Sequence, residues 1–216
     1  MIDLKKYTCI LWDWNGTLLD DAWLCVDVMN GMLKERNLPL KTIEEYMELF
    51  DFPVKDYYAK LGYDFDMEPF DRVGMEFINR YNARQGETRL HPGAVRVLEN
   101  FHTGGFDQSI LSAREQRELI TETTALGIHG FFDRIYGLDD HYAHGKTEVG
   151  LKLVHDLGIP KEKMLYFGDT RHDAEVAAEI GVDCILIANG HHSQERLEQL
   201  GVPIMASLTD LNELLW

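Results

Sequence analysis

The stretch Thr8-Cys-Ile-Leu-Trp-Asp-Trp-Asn-Gly-Thr17 decides how the chain is read. Thr8 to Trp12 is a short run of strand formers without polar alternation, the pattern of a strand buried on both faces in a parallel sheet. Asp13 follows it directly, and Asn15-Gly16 then turns the chain away. Similar apolar runs stand at 108–111, 134–136, 164–167 and 184–187. Helical stretches lie between or after them, at 93–103, 114–126, 146–157, 173–180 and 193–200. Strand alternating with helix implies an α/β fold built on a Rossmann-like, doubly wound parallel sheet.

The alternation stops between about residues 20 and 90. There Leu24, Cys25, Val28, Met29 and Met32 recur at helical spacing, as do Phe70, Val73, Phe77 and Tyr81. Thr42 with Glu45 predicts a capping box, and Pro53, Gly62 and Pro69 punctuate the rest. The expected organisation is a catalytic core formed by 1–19 and 91–216, carrying a helical insert at 20–90. The aromatic and methionine positions of the insert read as its own core rather than as a ligand cage. Lys55, beside Phe52-Pro53 in an inter-helix loop, is a weak candidate for reaching a ligand.

With 216 residues the chain can bury a substantial interior without disulfide staples. Its three cysteines, Cys9, Cys25 and Cys184, form no CxxC pair, which argues against a disulfide framework or a structural zinc and for a reducing, cytoplasmic compartment. Twenty-one Lys and Arg against 37 Asp and Glu leave a net charge of −16, which excludes nucleic acid as an expected partner. No run of 18 apolar residues and no secretory h-region is present, so neither membrane insertion nor export is expected. Oligomeric state is open between a monomer and a small homo-oligomer.

The chemistry-bearing residues share one position in the pattern. Asp13 follows the first strand, Ser112 the second, Lys146 opens the helix after the third, and Asp169 and Asp173 follow the fourth. Carboxyl ends of parallel strands converge on one crevice, so these residues can surround a single ligand. Three carboxylates would repel one another and any phosphate unless a hard cation such as Mg²⁺ lies between them. Each residue also has a plain structural use: Asp13 as a turn former, Ser112 and Asp169/Asp173 as helix caps, Lys146 as a solvated charge. Gly145-Lys146-Thr147 imitates the end of a P-loop, but Asp140 occupies the place where that motif needs glycine. His141, His144, His191 and His192 lie in polar loops without partners at ligand spacing and read as solvated.

In order and spacing, Asp13-Trp-Asn-Gly-Thr17, Ser112, Lys146 and Gly168-Asp-Thr-Arg-His-Asp173 resemble the four motifs of the haloacid dehalogenase superfamily. The helical insert resembles the mobile cap of its phosphoglycolate phosphatase-like and β-phosphoglucomutase-like branch. The resemblance implies a Mg²⁺-dependent phosphatase of small phosphorylated metabolites such as phosphoglycolate or a sugar phosphate. It casts Asp13 as nucleophile and Asp13, Asn15 (through its carbonyl), Asp169 and Asp173 around the metal, Asp173 by way of a water or from behind. Thr17, Ser112 and Lys146 would grip the phosphoryl oxygens, with Arg114 as a further donor.

One position departs from the family. Where most of its phosphatases carry a second Asp as general acid and base, this chain has Asn15, and an amide transfers no proton at neutral pH. Three readings follow: a specialised phosphatase, a phosphonatase- or dehalogenase-like hydrolase, or a phosphate-ester binding protein. Deamidation at Asn15-Gly16 is a conceivable route to the missing acid where that backbone is mobile.

Overall fold

The computed structural model describes residues 4–139 and 145–214. His141 and His144 lie outside the described residues. The strands are β1 (Cys9–Trp12), β2 (Leu19–Asp20), β3 (Arg89–Leu90), β4 (Asp107–Glu115), β5 (Arg134–Leu138), β6 (Met164–Gly168), β7 (Asp183–Ile187) and β8 (Ile204–Met205). The helices are α1 (Ala22–Glu35), α2 (Ile43–Leu49), α3 (Val54–Lys60), α4 (Phe70–Asn82), α5 (Ala94–Thr103), α6 (Gln116–Ala125), α7 (Lys146–Leu157), α8 (Arg171–Ile180), α9 (Gln194–Glu198) and α10 (Leu208–Leu214).

Six strands form one parallel sheet in the order β5-β4-β1-β6-β7-β8. The apolar run at its centre behaves as a strand buried on both faces. Ile10 and Trp12 face a core shared with α5 and α10, while Cys9 and Leu11 face one shared with α7 and α8. Trp12 stacks on Phe167 of β6 with ring centroids 4.7 Å apart, and its indole N–H donates to Gln108 Oε1 at 3.1 Å, which removes the cost of burying that donor. All five strand runs read from the sequence are strands here. The β2–β3 pair, edge strand β8 and the helix α10 that follows it are not legible in the sequence, being short segments with too few residues to show a period.

Helices α1 to α4 bury a separate apolar cluster built on Leu24, Met29, Met32, Tyr57, Tyr58 and Val73. The expected capping box is present, with Thr42 Oγ1 accepting from Glu45 N–H and Glu45 returning the bond. The chain enters and leaves this helical part through the two-residue antiparallel ladder of β2 and β3, in which Leu19 faces Leu90 and Asp20 faces Arg89. On the far side, α2 and its following loop meet the core. Tyr46 bonds His191, Ser193 bonds Glu48, and Arg196 donates to the carbonyls of Met47 and Phe50. The helical part is thus fastened over the carboxyl ends of the sheet.

Candidate active site

Asp13 sits where β1 ends, its N–H held by the Phe167 carbonyl at 2.8 Å. Gly16 then takes φ +76°, and a Cβ there would stand 2.2 Å from Asp169 Oδ2, so only glycine lets the loop after β1 approach the loop after β6. Between β4 and β5 the register slips from Leu111↔Tyr136 to Glu115↔Leu138, bulging Ser112, Ala113 and Arg114 toward the crevice. Gly137 lies opposite the bulge, where a Cβ would meet the Arg114 carbonyl at 2.5 Å.

Lys146, the first residue of α7, is 3 % exposed and donates from Nζ to Asp13 Oδ1 at 2.5 Å and to Asp173 Oδ1 at 2.6 Å. It is no solvated surface charge. Asp173 is held by five donors: Lys146, the Tyr166 hydroxyl, the N–H groups of Asp169 and Thr170, and the Thr170 hydroxyl. Its cap role and its site role coexist, because Oδ2 completes the capping box of α8 while Oδ1 anchors Lys146. Asp169 is fully buried, with Oδ1 accepting from Thr17 Oγ1 at 3.0 Å and Oδ2 from His191 N–H at 2.6 Å. Thr17 is therefore turned toward Asp169 and is not among the cavity-lining residues, which differs from the phosphoryl-gripping role its motif suggested. Ser112 and Arg114 do line the cavity, but the Arg114 guanidinium is already bonded to Glu122, Asn82 and Gln85. Lys55 sits over the Phe65 ring and is not a lining residue.

Carboxylate oxygens of Asp13, Asp169 and Asp173 come within 4.8 Å of one another, all buried. Burial, with Asp173 and Asp169 adding to it against the pull of Lys146, pushes the Asp13 carboxyl up to about 8. Burial and Asp173 likewise raise Asp169 to about 6. Burial opposes ionisation of Asp173 too, but Lys146 and Thr170 hold it well below the usual range. The three carboxylates offer oxygen ligands of the kind a hard divalent cation takes.

The largest departure from the sequence reading lies one layer above. His191 and His192, read as solvated, are 5 % and 0 % exposed. His192 Nδ1 accepts from Arg171 N–H at the start of α8. His191 touches Tyr46 OH through Nδ1 at 2.8 Å and Asp21 Oδ1 through Nε2 at 3.4 Å. Asp21, 1 % exposed, also receives Asn15 Nδ2 at 2.8 Å, Tyr81 OH at 2.8 Å and Gly16 N–H at 2.9 Å. Asn15 is therefore a double donor, its amide spanning Asp21 and Tyr81 OH. The Gly16 nitrogen, which deamidation would need free, is tied to Asp21 and to the Leu19 carbonyl.

Burial alone would lower His191, but Asp21 and Asp169 outweigh it and raise the ring to about 9, while His191 and Asn15 overcome burial to lower Asp21. A raised histidine contributes stability that is complete below its unfolded value near 6.5 and is lost as pH climbs through about 9. Thermal melts of the metal-free protein should therefore lose stability between pH 6.5 and 9.5, with His191 contributing up to about 3 kcal/mol. His191→Asn should flatten that slope; an unchanged slope in the variant would rule out His191 as its source.

Residues 10–187 match the haloacid dehalogenase-like hydrolase family. This chain belongs to that family. A phosphoglycolate phosphatase of Caulobacter vibrioides is 26 % identical over 211 residues, covering 94 % of this chain and 87 % of its relative. Among solved structures, a haloacid dehalogenase-like hydrolase of Streptococcus pneumoniae superposes with a TM-score of 0.82 at 22 % identity, over 98 % of this chain and all of the other. A predicted phosphatase of Clostridium acetobutylicum gives 0.81 at 18 % identity, with 96 % and 97 % covered. The hydrolase thus carries the superfamily fold throughout, and its curated relatives are phosphatases. Among the described residues, no helix is long and apolar enough to cross a membrane.

Proposed function

We propose that this hydrolase cleaves phosphate monoesters by way of an aspartyl-phosphate on Asp13, with Mg²⁺ as cofactor. The observation that carries the reading is the buried cluster of Asp13, Asp169, Asp173 and Lys146 at the base of a cavity of about 210 Å³, to which Asp13 contributes a wall. In the first step an Asp13 oxygen bonds to phosphorus and the ester P–O bond breaks. In the second, water attacks the same phosphorus, the Asp13–phosphorus bond breaks, and inorganic phosphate leaves with the carboxylate restored.

Asp13, the Asn15 main-chain carbonyl and Asp169 are the groups that would hold Mg²⁺, with Asp173 behind them as the anchor of Lys146. The ion supplies the positive charge that lets a carboxylate and a phosphoryl group share one pocket. Thr17 holds Asp169 in orientation, and Lys146 presents its ammonium beside the Asp13 oxygen that must meet the phosphoryl group. Asn15 keeps both hydrogens on acceptors and has no proton to give, so the departing alkoxide takes its proton from water. Esters of acidic alcohols are expected to turn over fastest.

Phosphate release from an aryl phosphate is expected to require Mg²⁺ and to stop on chelation. Metal-independent turnover would sink the cofactor assignment, and silence with every ester would sink the hydrolase reading of this site. Binding should also be visible in the melt. Because Asp169 and Asp13 hold protons below about 6 and 8, Mg²⁺ competes better as pH rises through those values. At a hundredfold excess over its Kd the ion should stabilise the protein by ~2.7 kcal/mol at pH 8 and by much less at pH 5.

A further inference from the structure

Resting on that reading, we propose that the ester's alcohol is uncharged and carries an aromatic or comparably bulky apolar group, so that phosphoglycolate is a poor substrate of this chain. The cavity above Asp13 is walled by Met29, Phe50, Tyr57, Phe70, Phe77 and Ile78, carbon surfaces contributed by four different stretches of the helical part. An apolar wall of this kind favours a leaving group that sheds water and penalises one that brings a carboxylate.

A second negative charge on the substrate would need a free cation, and among the described lining residues none is free. Lys146 is held by Asp13 and Asp173, Arg114 by Glu122, and His191 by Asp21. His172 completes the lining cationic candidates; its ring lies tilted against Phe52, and burial and Lys146 lower its hold on a proton, so it offers a neutral imidazole. Two buried polar atoms on the wall have no hydrogen-bond partner, the Tyr57 hydroxyl and His172 Nε2, and both belong to neutral groups.

Gly74 gives an independent indication. It lies in mid-α4, between Phe70 and Phe77 on the cavity side, with ordinary helical φ, so its backbone does not call for glycine. A Cβ placed there would meet nothing closer than the Phe70 ring at 3.8 Å. Glycine inside a helix is disfavoured relative to alanine, so its presence where the protein has room for a side chain keeps space open for something else. That space adjoins the aromatic wall and is the natural seat for a ring.

Leaving-group acidity is removed from the test by comparing esters of primary alcohols: 2-phenylethyl phosphate, ethyl phosphate and phosphoglycolate, with Mg²⁺ and the intact protein. The expected kcat/KM for 2-phenylethyl phosphate exceeds both others by about tenfold or more, the lower end of what an apolar pocket discriminates. Gly74→Leu, which fills the space without touching Asp13 or Lys146, should erase that advantage mainly through KM. Phosphoglycolate turned over as well as or better than 2-phenylethyl phosphate would overturn the proposal, as would an advantage that survives Gly74→Leu. A calorimetric comparison of 3-phenylpropylphosphonate with 2-carboxyethylphosphonate separates this inference from the hydrolase reading. Tighter binding of the aromatic phosphonate by about tenfold is expected even if no ester turns over, and equal, reversed or absent binding overturns it.

Discussion

Asp13→Asn is expected to lower phosphate release by about 10⁴- to 10⁶-fold, the scale on which enzymes lose activity with their nucleophile. The side chain changes little in shape, so Lys146 keeps Asp173 at 2.6 Å and the core about β1 is unaltered. Stability should move the other way. Without metal, the carboxyl that burial and its neighbours raise to about 8 is a group the fold ionises unwillingly at neutral pH, and an amide relieves that crowding. Melts of metal-free protein should show Asp13→Asn at least as stable as wild type, with a smaller response to Mg²⁺. Residual activity within a hundredfold of wild type would remove Asp13 as the nucleophile.

Asn15→Asp, which family resemblance marks as a gain of the missing acid, is expected instead to destabilise the protein by about 1–3 kcal/mol at pH 7, the scale of a buried group left without its hydrogen-bond donor. The new carboxylate would replace a donor lying 2.8 Å from Asp21 Oδ2, leaving a half-buried and a buried carboxylate to share one proton. Its folded-state pKa is raised, so the loss grows as pH rises and shrinks toward pH 4. The double variant Asn15→Asp/Asp21→Asn exchanges donor and acceptor across the same contact and should recover most of the stability. It is also the variant expected to speed esters of poor leaving groups, within the roughly 10²- to 10⁴-fold range of general acid–base help. Equal stability of the single variant and wild type across pH 5 to 8 would show that Asp21 does not dictate the residue at position 15.

These contrasts show where the sequence was legible. The TCILW run and its four counterparts are buried strands because a parallel sheet covered on both faces leaves no polar side, and that pattern needs no knowledge of contacts. One rule, that residues beyond carboxyl ends of parallel strands converge, groups Asp13, Ser112, Lys146 and Asp169, and the structure brings them to the same end of the sheet. Applied to the strand at 184–187, the same rule points to His191, but the surrounding Asn-Gly-His-His-Ser is locally indistinguishable from a solvated turn. Asp21 is invisible for a related reason: an acidic pair before a helix is normally a cap, and its burial arises only when Tyr81 and His191 close on it. Arg114 carries a charge the sequence shows, whereas its engagement by Glu122 depends on α6. The capacity of a side chain to act was thus readable, and whether it was already taken was not.

The two-residue ladder of β2 and β3 has a bearing on how such a chain changes over time. Because Leu19 and Asp20 pair directly with Leu90 and Arg89, everything between them is, to the sheet, a loop whose ends are already joined. The entropy of closing a loop grows only with the logarithm of its length, about 0.6 kcal/mol for each doubling. Residues added to or removed from that excursion therefore weigh lightly on the stability of the sheet, while they redraw the walls above Asp13. The walls above Asp13 are thus free to drift at a rate the loops beneath them do not share.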